Sequence, residues 1–376
     1  MFRSKRSNYV RRLWRNRITT STDSEDQKSS KLDTHQSSDF ERDLKAASHV
    51  FLKRLKEKQL ELLLEAVESK GGAATACVLL PRGELKIGHK TLSPDILCCL
   101  LFRWPDLPNG SELRRLKHTC KFNKDSAESA GYVCCNPYHL SRLATTPESA
   151  APPPYSEVAW DWKALQHTSK LLPIRTSSTE TGNTPTSRLN HWPPSDASGV
   201  DGEAMNPWCS IAYWENRTRV GRMFPVMSDF VNIFYELPHG DGFCLGHLQT
   251  ESRSENVIRT RTKIGYGLVL SKELDGVWIY NRSNYALFIN SPTLDDPQSR
   301  TLTVVKVLPG FSIKAFDYTL AEILEVTRKE PDVPVGPTDP NSLRISFVKG
   351  WGGRYTRQLI TSCPCWVEII LSVPSR

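Results

Sequence analysis

Four side chains in the first third of the chain could close around a metal ion. Cys134 and His139 stand five positions apart in VCCNPYH, with Pro137 forcing a turn between them. Cys120 lies 14 residues before Cys134, and Cys77 lies further back. Three thiolates and one imidazole make a closed, tetrahedral zinc site that leaves no position for a reactive water. The spacing holds no C-x-x-C pair, so the competing reading is that these cysteines are small core residues. Cys98, Cys99 and Cys135 are rival ligands, better read as buried thiols. Nothing nearby suggests a positioned general base, so a structural site is favoured over a hydrolytic one.

Two further groups of residues suit recognition. Arg259, Arg261 and Lys263 fall in RTRTK, and Lys349, Arg354, Tyr355 and Arg357 in VKGWGGRYTRQ. The glycines around Trp351 predict an irregular, exposed loop. Guanidinium, ammonium and phenol groups on such a loop suit phosphate binding. Each cluster taken alone reads more readily as solvated surface. In PPPYS, Pro152, Pro153 and Tyr155 form a polyproline-II segment with a terminal aromatic, the ligand type of a WW-domain groove; the alternative is a proline-rich spacer. Enzyme signatures are missing: there is no G-x-S-x-G, P-loop or H-E-x-x-H. His239, Asp241 and His247 surround Cys244, but FCLGHL reads as buried strand.

The elements that must position these groups follow from periodicity. The 376 residues carry a net charge of +8, 25 prolines and 10 cysteines. Residues 1–38 read as a disordered basic tail, since MFRSKRSNYVRRLWRNR has seven Arg/Lys and no acid; a nuclear-import or nucleic-acid patch is the functional reading. Residues 39–145 form a compact cysteine-rich domain. It opens with a helix over 39–70 in which Phe40, Leu44, Ala47, Phe51 and Leu55 recur at helical spacing, with a break near Glu57. Residues 146–206 are a Pro/Ser/Thr-rich linker that cannot bury a core. Residues 207–376 alternate in short β-branched runs, the pattern of an antiparallel sandwich, with one helix expected over Asp317–Thr327. No apolar run reaches 18 residues, so the sequence predicts no membrane insertion. The basic start, with no apolar run behind it, predicts no secretory leader.

FRWPDL, VCCNPYHLSRL, the PPPY segment, WCSIAYWENRTRVGR, GFCLG, KIGYG, ISFVKGWG and SCPCWVEI occur in one order along residues 40–373. In that order the chain resembles the Smad family, and its opening segment resembles the inhibitory branch. The resemblance implies a multidomain fold: a small α+β zinc-binding MH1 domain, a disordered linker, and an MH2 antiparallel β-sandwich with a helical bundle and a loop-helix cap. It implies one structural Zn2+ on Cys77, Cys120, Cys134 and His139. It implies a non-enzymatic protein whose Arg259, Lys263, Lys349, Tyr355 and Arg357 bind phosphoproteins: type I TGF-β/BMP receptor kinases and other Smads. Pro152, Pro153 and Tyr155 would recruit WW-domain HECT ubiquitin ligases, and the protein would work in cytoplasm and nucleus. The chain stops at LSVPSR, where receptor-regulated members continue to a phosphorylatable Ser-Ser-x-Ser. At Glu84 and Thr91 the DNA-binding members carry Arg and Lys, which implies weak or altered DNA binding. The alternative is a DNA-bound nuclear corepressor acting through MH1.

Overall fold

The computed structural model describes residues 5–18, 31–88, 90–122, 131–144, 206–238, 240–295, 302–328 and 339–372. The PPPY segment and almost all of the expected linker lie outside them. No helix among the described residues is long and apolar enough to cross a membrane.

The N-terminal part is built on three helices. In α3 (Glu57–Ser69) Leu60, Leu63, Leu64 and Val67 recur at helical spacing and are buried. α2 (Lys31–Arg54) adds Phe51 and Leu52, and Leu55 follows it into the same core. The break falls where the sequence puts it, but α2 begins earlier than the expected Ser38 or Asp39. A larger correction concerns α1 (Lys5–Arg15), which was expected within a disordered tail. Leu13 on this helix is fully buried in the same core, with Tyr9 and Val10 packed against it. Arg12 grips Glu68 of α3 with both guanidinium arms, at 2.6 and 3.0 Å. Basic composition hid an apolar stripe of one residue per turn or so, and that stripe decides the packing. α4 (Pro94–Phe102) is buried along most of its length.

The C-terminal part is a two-sheet sandwich. One sheet runs β15 (Val305–Val307), β14 (Leu287–Asn290), β17 (Ser342–Phe347), β18 (Trp366–Leu371), β7 (Cys209–Glu215) and β8 (Thr218–Arg219), with β9 (Phe224–Val226) paired to β7. The other contains β11 (Gly242–Cys244), β10 (Phe230–Phe234), β12 (Leu268–Glu273), β13 (Gly276–Asn281) and β16 (Phe311–Asp317). Their inner faces share one core that includes Ile211, Ile233, Leu270, Ile279, Ile345 and Val367. α5 (Glu255–Ile264) lies beside β17. α6 (Tyr318–Arg328) begins one residue later than expected, because Asp317 accepts the amides of Thr319 and Leu320 as its cap.

The strands β4 (Leu113–Arg115) and β6 (Leu140–Leu143) lie within residues 39–145 and extend the second sandwich sheet, which continues β16–β6–β4. β6 pairs in parallel with β16, Phe311 opposite Arg142 and Ser312 opposite Leu143. Hydrophobic alternation cannot reveal such a pairing, since the four residues of β6 are too few to carry a period.

The place of α1 is tested by Leu13→Ala. Removing a fully buried leucine should cost about 2–5 kcal/mol. Urea unfolding of the intact chain, followed by amide exchange in α3, reads the loss. A change near zero would show that α1 does not pack as described.

Candidate functional site

Three backbone devices bring the four metal-type donors together. β1 (Leu79–Pro81) pairs antiparallel with β5 (Tyr132–Cys134), Leu79 opposite Cys134, and the Cys135 amide donates to the Val78 carbonyl at 2.7 Å. That register sets Cys77 beside Cys134. Pro137 starts a 3-10 turn, Pro137–His139, that swings the imidazole back. The buried Asn136 side chain fixes this turn: it donates to Thr75 Oγ1 and the Ala76 carbonyl and accepts from the Tyr138 amide. Cys120 closes a turn on the Leu116 carbonyl, and the Leu116 amide donates to the His139 carbonyl at 3.0 Å.

The outcome is a cluster whose ligand atoms all lie within 4.8 Å of one another. Cys77 Sγ is 3.9 Å from Cys120 Sγ and 3.5 Å from His139 Nδ1, and Cys134 Sγ is 3.5 Å from the same nitrogen. A tetrahedral ion with bonds of about 2.3 Å to sulfur and about 2.0–2.1 Å to nitrogen separates its ligands by roughly 3.5–3.8 Å. The cluster has that size. His139 Nε2–H donates to the Thr75 carbonyl at 3.0 Å, which turns Nδ1 toward the sulfurs and fixes the tautomer. The rivals Cys98, Cys99 and Cys135 are fully buried and lie outside the cluster.

Electrostatics supports a cation. Contacts with Cys120 and then Cys134 hold the Cys77 thiol far below its ordinary value, while contacts with Cys120 and Cys77 push Cys134 far above it. The thiols therefore share charge rather than each bearing one. Burial works against protonating His139, yet Cys120 and Cys77 raise it to about 9. Ionising all three thiols requires a positive charge among them, and a thiophilic divalent metal supplies it. All four positions are occupied by protein, so the arrangement can hold an ion but offers no place for a substrate.

The second group of residues lies on the C-terminal sandwich. At the end of β17 Val348 adopts φ +68°. This is uncommon for a β-branched residue. The Lys349 amide donates to the Phe347 carbonyl at 2.8 Å across it. The tight turn ends the strand and sends Lys349 into solvent. Trp351 is buried against Phe288, Cys363 and Trp366 and roots the loop. Tyr355 was expected to offer its hydroxyl to phosphate. Its ring packs edge-on against Phe288, centroids 5.4 Å apart, and over Gly350, where a Cβ would lie 2.6 Å away. It supports the loop whatever its hydroxyl binds.

The Arg357 carbonyl accepts the Gly352 amide at 2.7 Å, and its side chain is half-buried. Among the described residues no salt bridge involves Lys349, Arg357 or Lys263. Lys263 Nζ stands 5.4 Å from the Tyr285 ring centroid, and the Val348 amide donates to the neighbouring Ala286 carbonyl. The segment 285–286 thus joins Lys263 to the root of the loop. Arg259 lies one helical turn away, exposed and paired with Glu255. Arg261 of the same basic run points inward and binds Glu215 at 2.7 Å. The sequence could not separate these neighbours, and it offered no signal for Tyr285, Thr75 or Val348.

Residues 44–144 match the MH1 domain and residues 206–372 the MH2 domain. Mothers against decapentaplegic homolog 6 of Gallus gallus is 53% identical over 337 residues, covering 89% of this chain and 76% of that protein. Homolog 7 of Homo sapiens is 46% identical over 349 residues, covering 88% and 79%. Dwarfin sma-3 of Caenorhabditis elegans is 28% identical, covering 89% and 88%. Among solved structures, the IAD domain of interferon regulatory factor 9 superposes with a TM-score of 0.32 at 10% identity, covering 47% of this chain and 89% of that one. The segments RSENVIRTRTKIG, NSPTLD, DPNSLRISFVKGWG and TSCPCW lean toward the homolog 6 type, as the identities do. With MH1 and MH2 in order and these relatives along most of its length, the chain belongs to the Smad family, in its inhibitory branch and nearer the homolog 6 type.

Proposed function

We propose that the chain is a non-enzymatic negative regulator of TGF-β/BMP-type signalling that docks on activated type I receptors or activated Smads. One observation carries this reading. Lys349 and Lys263 stand exposed, without a salt bridge among the described residues, at the two ends of one short structural link through 285–286. Arg259 and Arg357 add charge on the same elements. Lysines such as Lys349 and Lys263, in no salt bridge among the described residues, suit the phosphates of a phosphorylated partner. Pro152, Pro153 and Tyr155 would bring in a WW-domain HECT ubiquitin ligase, which supplies the chemistry this chain lacks. The ion at Cys77, Cys120, Cys134 and His139 would be one structural zinc. The protein would act in both cytoplasm and nucleus.

DNA reading by the first domain is the weaker alternative. The hairpin β2–β3 (Leu85–Ile87 and Lys90–Leu92) follows Glu84. At its Gly88 turn, Asp43 Oδ2 of α2 lies 2.9 Å from where a Cβ would be. Two carboxylates beside this hairpin oppose a phosphate backbone. Weak or altered DNA binding follows, and a corepressor role would require more.

Lys349→Glu with Arg357→Glu should abolish co-precipitation with a phosphorylated type I receptor kinase while thermal unfolding stays unchanged; full retention of binding by the folded variant would remove the docking reading. Tyr155→Ala should eliminate WW-domain binding by calorimetry, and an undiminished affinity would refute the PPxY assignment. Structural zinc supplies on the order of 10 kcal/mol of apparent binding energy, comparable to a domain's stability. Cys134→Ser with His139→Ala should therefore bind no zinc and lose amide protection in α3. Native protection in that variant would defeat the structural role of the metal.

A further inference from the structure

The metal-type ligands and the contacts between the N- and C-terminal parts occupy the same short segments. Cys120 ends a stretch whose preceding residues reach the second sandwich sheet. Arg114 and Lys117 both bind Glu273, at 2.5 and 2.6 Å, and Glu273 is only 6% exposed. Leu116 is buried against Val269 and Tyr280. The Arg114 guanidinium lies 3.6 Å from the Trp278 ring centroid, and His118 packs 5.5 Å from Phe230.

His139 immediately precedes β6. From there the Arg142 amide donates to the Gly310 carbonyl at 3.2 Å and the Ala144 amide to Ser312 at 2.8 Å. Ser312 Oγ donates to Ser141 Oγ at 2.8 Å in a buried contact. Arg103 spans both structures. It donates to the carbonyls of Pro137 and Leu140, which flank His139, and to Tyr280 Oη at 3.1 Å. Even the contact from the end of α3, Arg282 donating to the Gly71 carbonyl at 2.6 Å, lies just ahead of Thr75 and Cys77.

We propose that the metal centre is the clasp of this closure: metal binding, and docking of residues 113–122 and 131–144 on the β10–β12–β13–β16 sheet, form one linked equilibrium. The inference rests on the metal reading above and adds to it a role in controlling a surface. The segments bearing Cys120 and His139 pair with each other through the three-residue β4–β6 ladder and the Leu116–His139 bond, and are otherwise held in shape by turns. A bound divalent, thiophilic ion fixes 116–120 against 137–139, and that shape presents Arg114, Lys117 and β6 together to the C-terminal sheet. Loss of the ion lets these strands leave. β16 then has an unpaired edge, open to strand addition, and Glu273, Tyr280 and Phe230 are uncovered. Linkage requires the converse: breaking the dock must weaken the hold on the metal.

The test uses the full-length chain loaded with zinc. Withdrawal of zinc by a chelator should raise amide exchange at Phe311–Ile313 and enlarge the radius of gyration in solution scattering, while β17 and β18 keep their protection. Glu273→Lys reverses the charge that meets Arg114 and Lys117 without touching a ligand. It should retain one zinc and protection in α3, show the same opening, and surrender zinc to a chromogenic chelator about fivefold faster or more. If that variant opens and zinc release stays at the wild-type rate, the linkage is refuted. Should Glu273→Lys fail to fold, chelation of the wild-type chain decides: unchanged exchange at Phe311–Ile313 after zinc has left overturns the proposal. A purified chain that binds no zinc at all overturns the metal reading itself, and the linkage with it.

Discussion

Three thiols and an imidazole crowded within 4.8 Å can take their ligating forms together only if a positive charge sits among them. Without one, the site resolves into a single low thiol at Cys77 and a raised one at Cys134. The local chain gains from meeting this constraint. Residues 113–120 and 132–144 contribute three short strands, a 3-10 turn and a few capped turns. Such segments bury too little apolar surface to offset the entropy of ordering them. A four-ligand cross-link ties 77, 120, 134 and 139 into one knot, and the surrounding hydrogen bonds of Asn136, Thr75 and Arg103 then have fixed partners. The helical core of α1, α3 and α4 packs by apolar contact. The segments bearing the four ligands would be cross-linked by an ion.

The phosphate-type surface obeys the opposite logic. Arg259 pairs with Glu255, but Lys263 and Lys349 form no salt bridge among the described residues. Glu215 satisfies Arg253 and Arg261 inside the sandwich, which leaves the outward Lys263 on the same helix without a claim on that carboxylate. Loop position is set by apolar anchoring of Trp351 and by the strained turn at Val348, not by ion pairs. A loop held in this way leaves Lys349 exposed and, among the described residues, outside any salt bridge. Strain in a β-branched residue at φ +68° persists only where the neighbours impose it, here the bonds from the Val348 amide to Ala286 and from the Lys349 amide across to Phe347.

How far the sequence discloses this arrangement depends on the range of the interaction. Apolar recurrence at Leu60, Leu63, Leu64 and Val67 is local, and α3 was legible from it. The α2–α3 break and α6 were legible for the same reason. Cys77 was not recoverable as a ligand by spacing, because its place depends on the register of β1 against β5; the family resemblance supplied it. The inward turn of Arg261 and the outward turn of Lys263 differ by two positions on one helix, and only the buried Glu215 on a distant strand explains which goes where. α1 was misjudged because charge dominates its composition while one leucine dominates its packing.

The continuous sheet β16–β6–β4 was the least legible feature, and it bears most on regulation. Its parallel pairing joins residues about 170 positions apart in sequence. Holding that contact requires either a large apolar seam or a pre-shaped partner strand. The seam here is modest and polar at its margins: Glu273 with two cations, a Ser141–Ser312 pair, and Arg103 beneath Tyr280. Polar seams of this kind are worth little unless their groups are already aligned. Alignment must come from within the 113–144 segment, and the strongest organiser in that segment is the Cys3His cluster. On the linkage proposed above, closure of the two parts would be a consequence of local metal-imposed order rather than of hydrophobic docking between two finished domains.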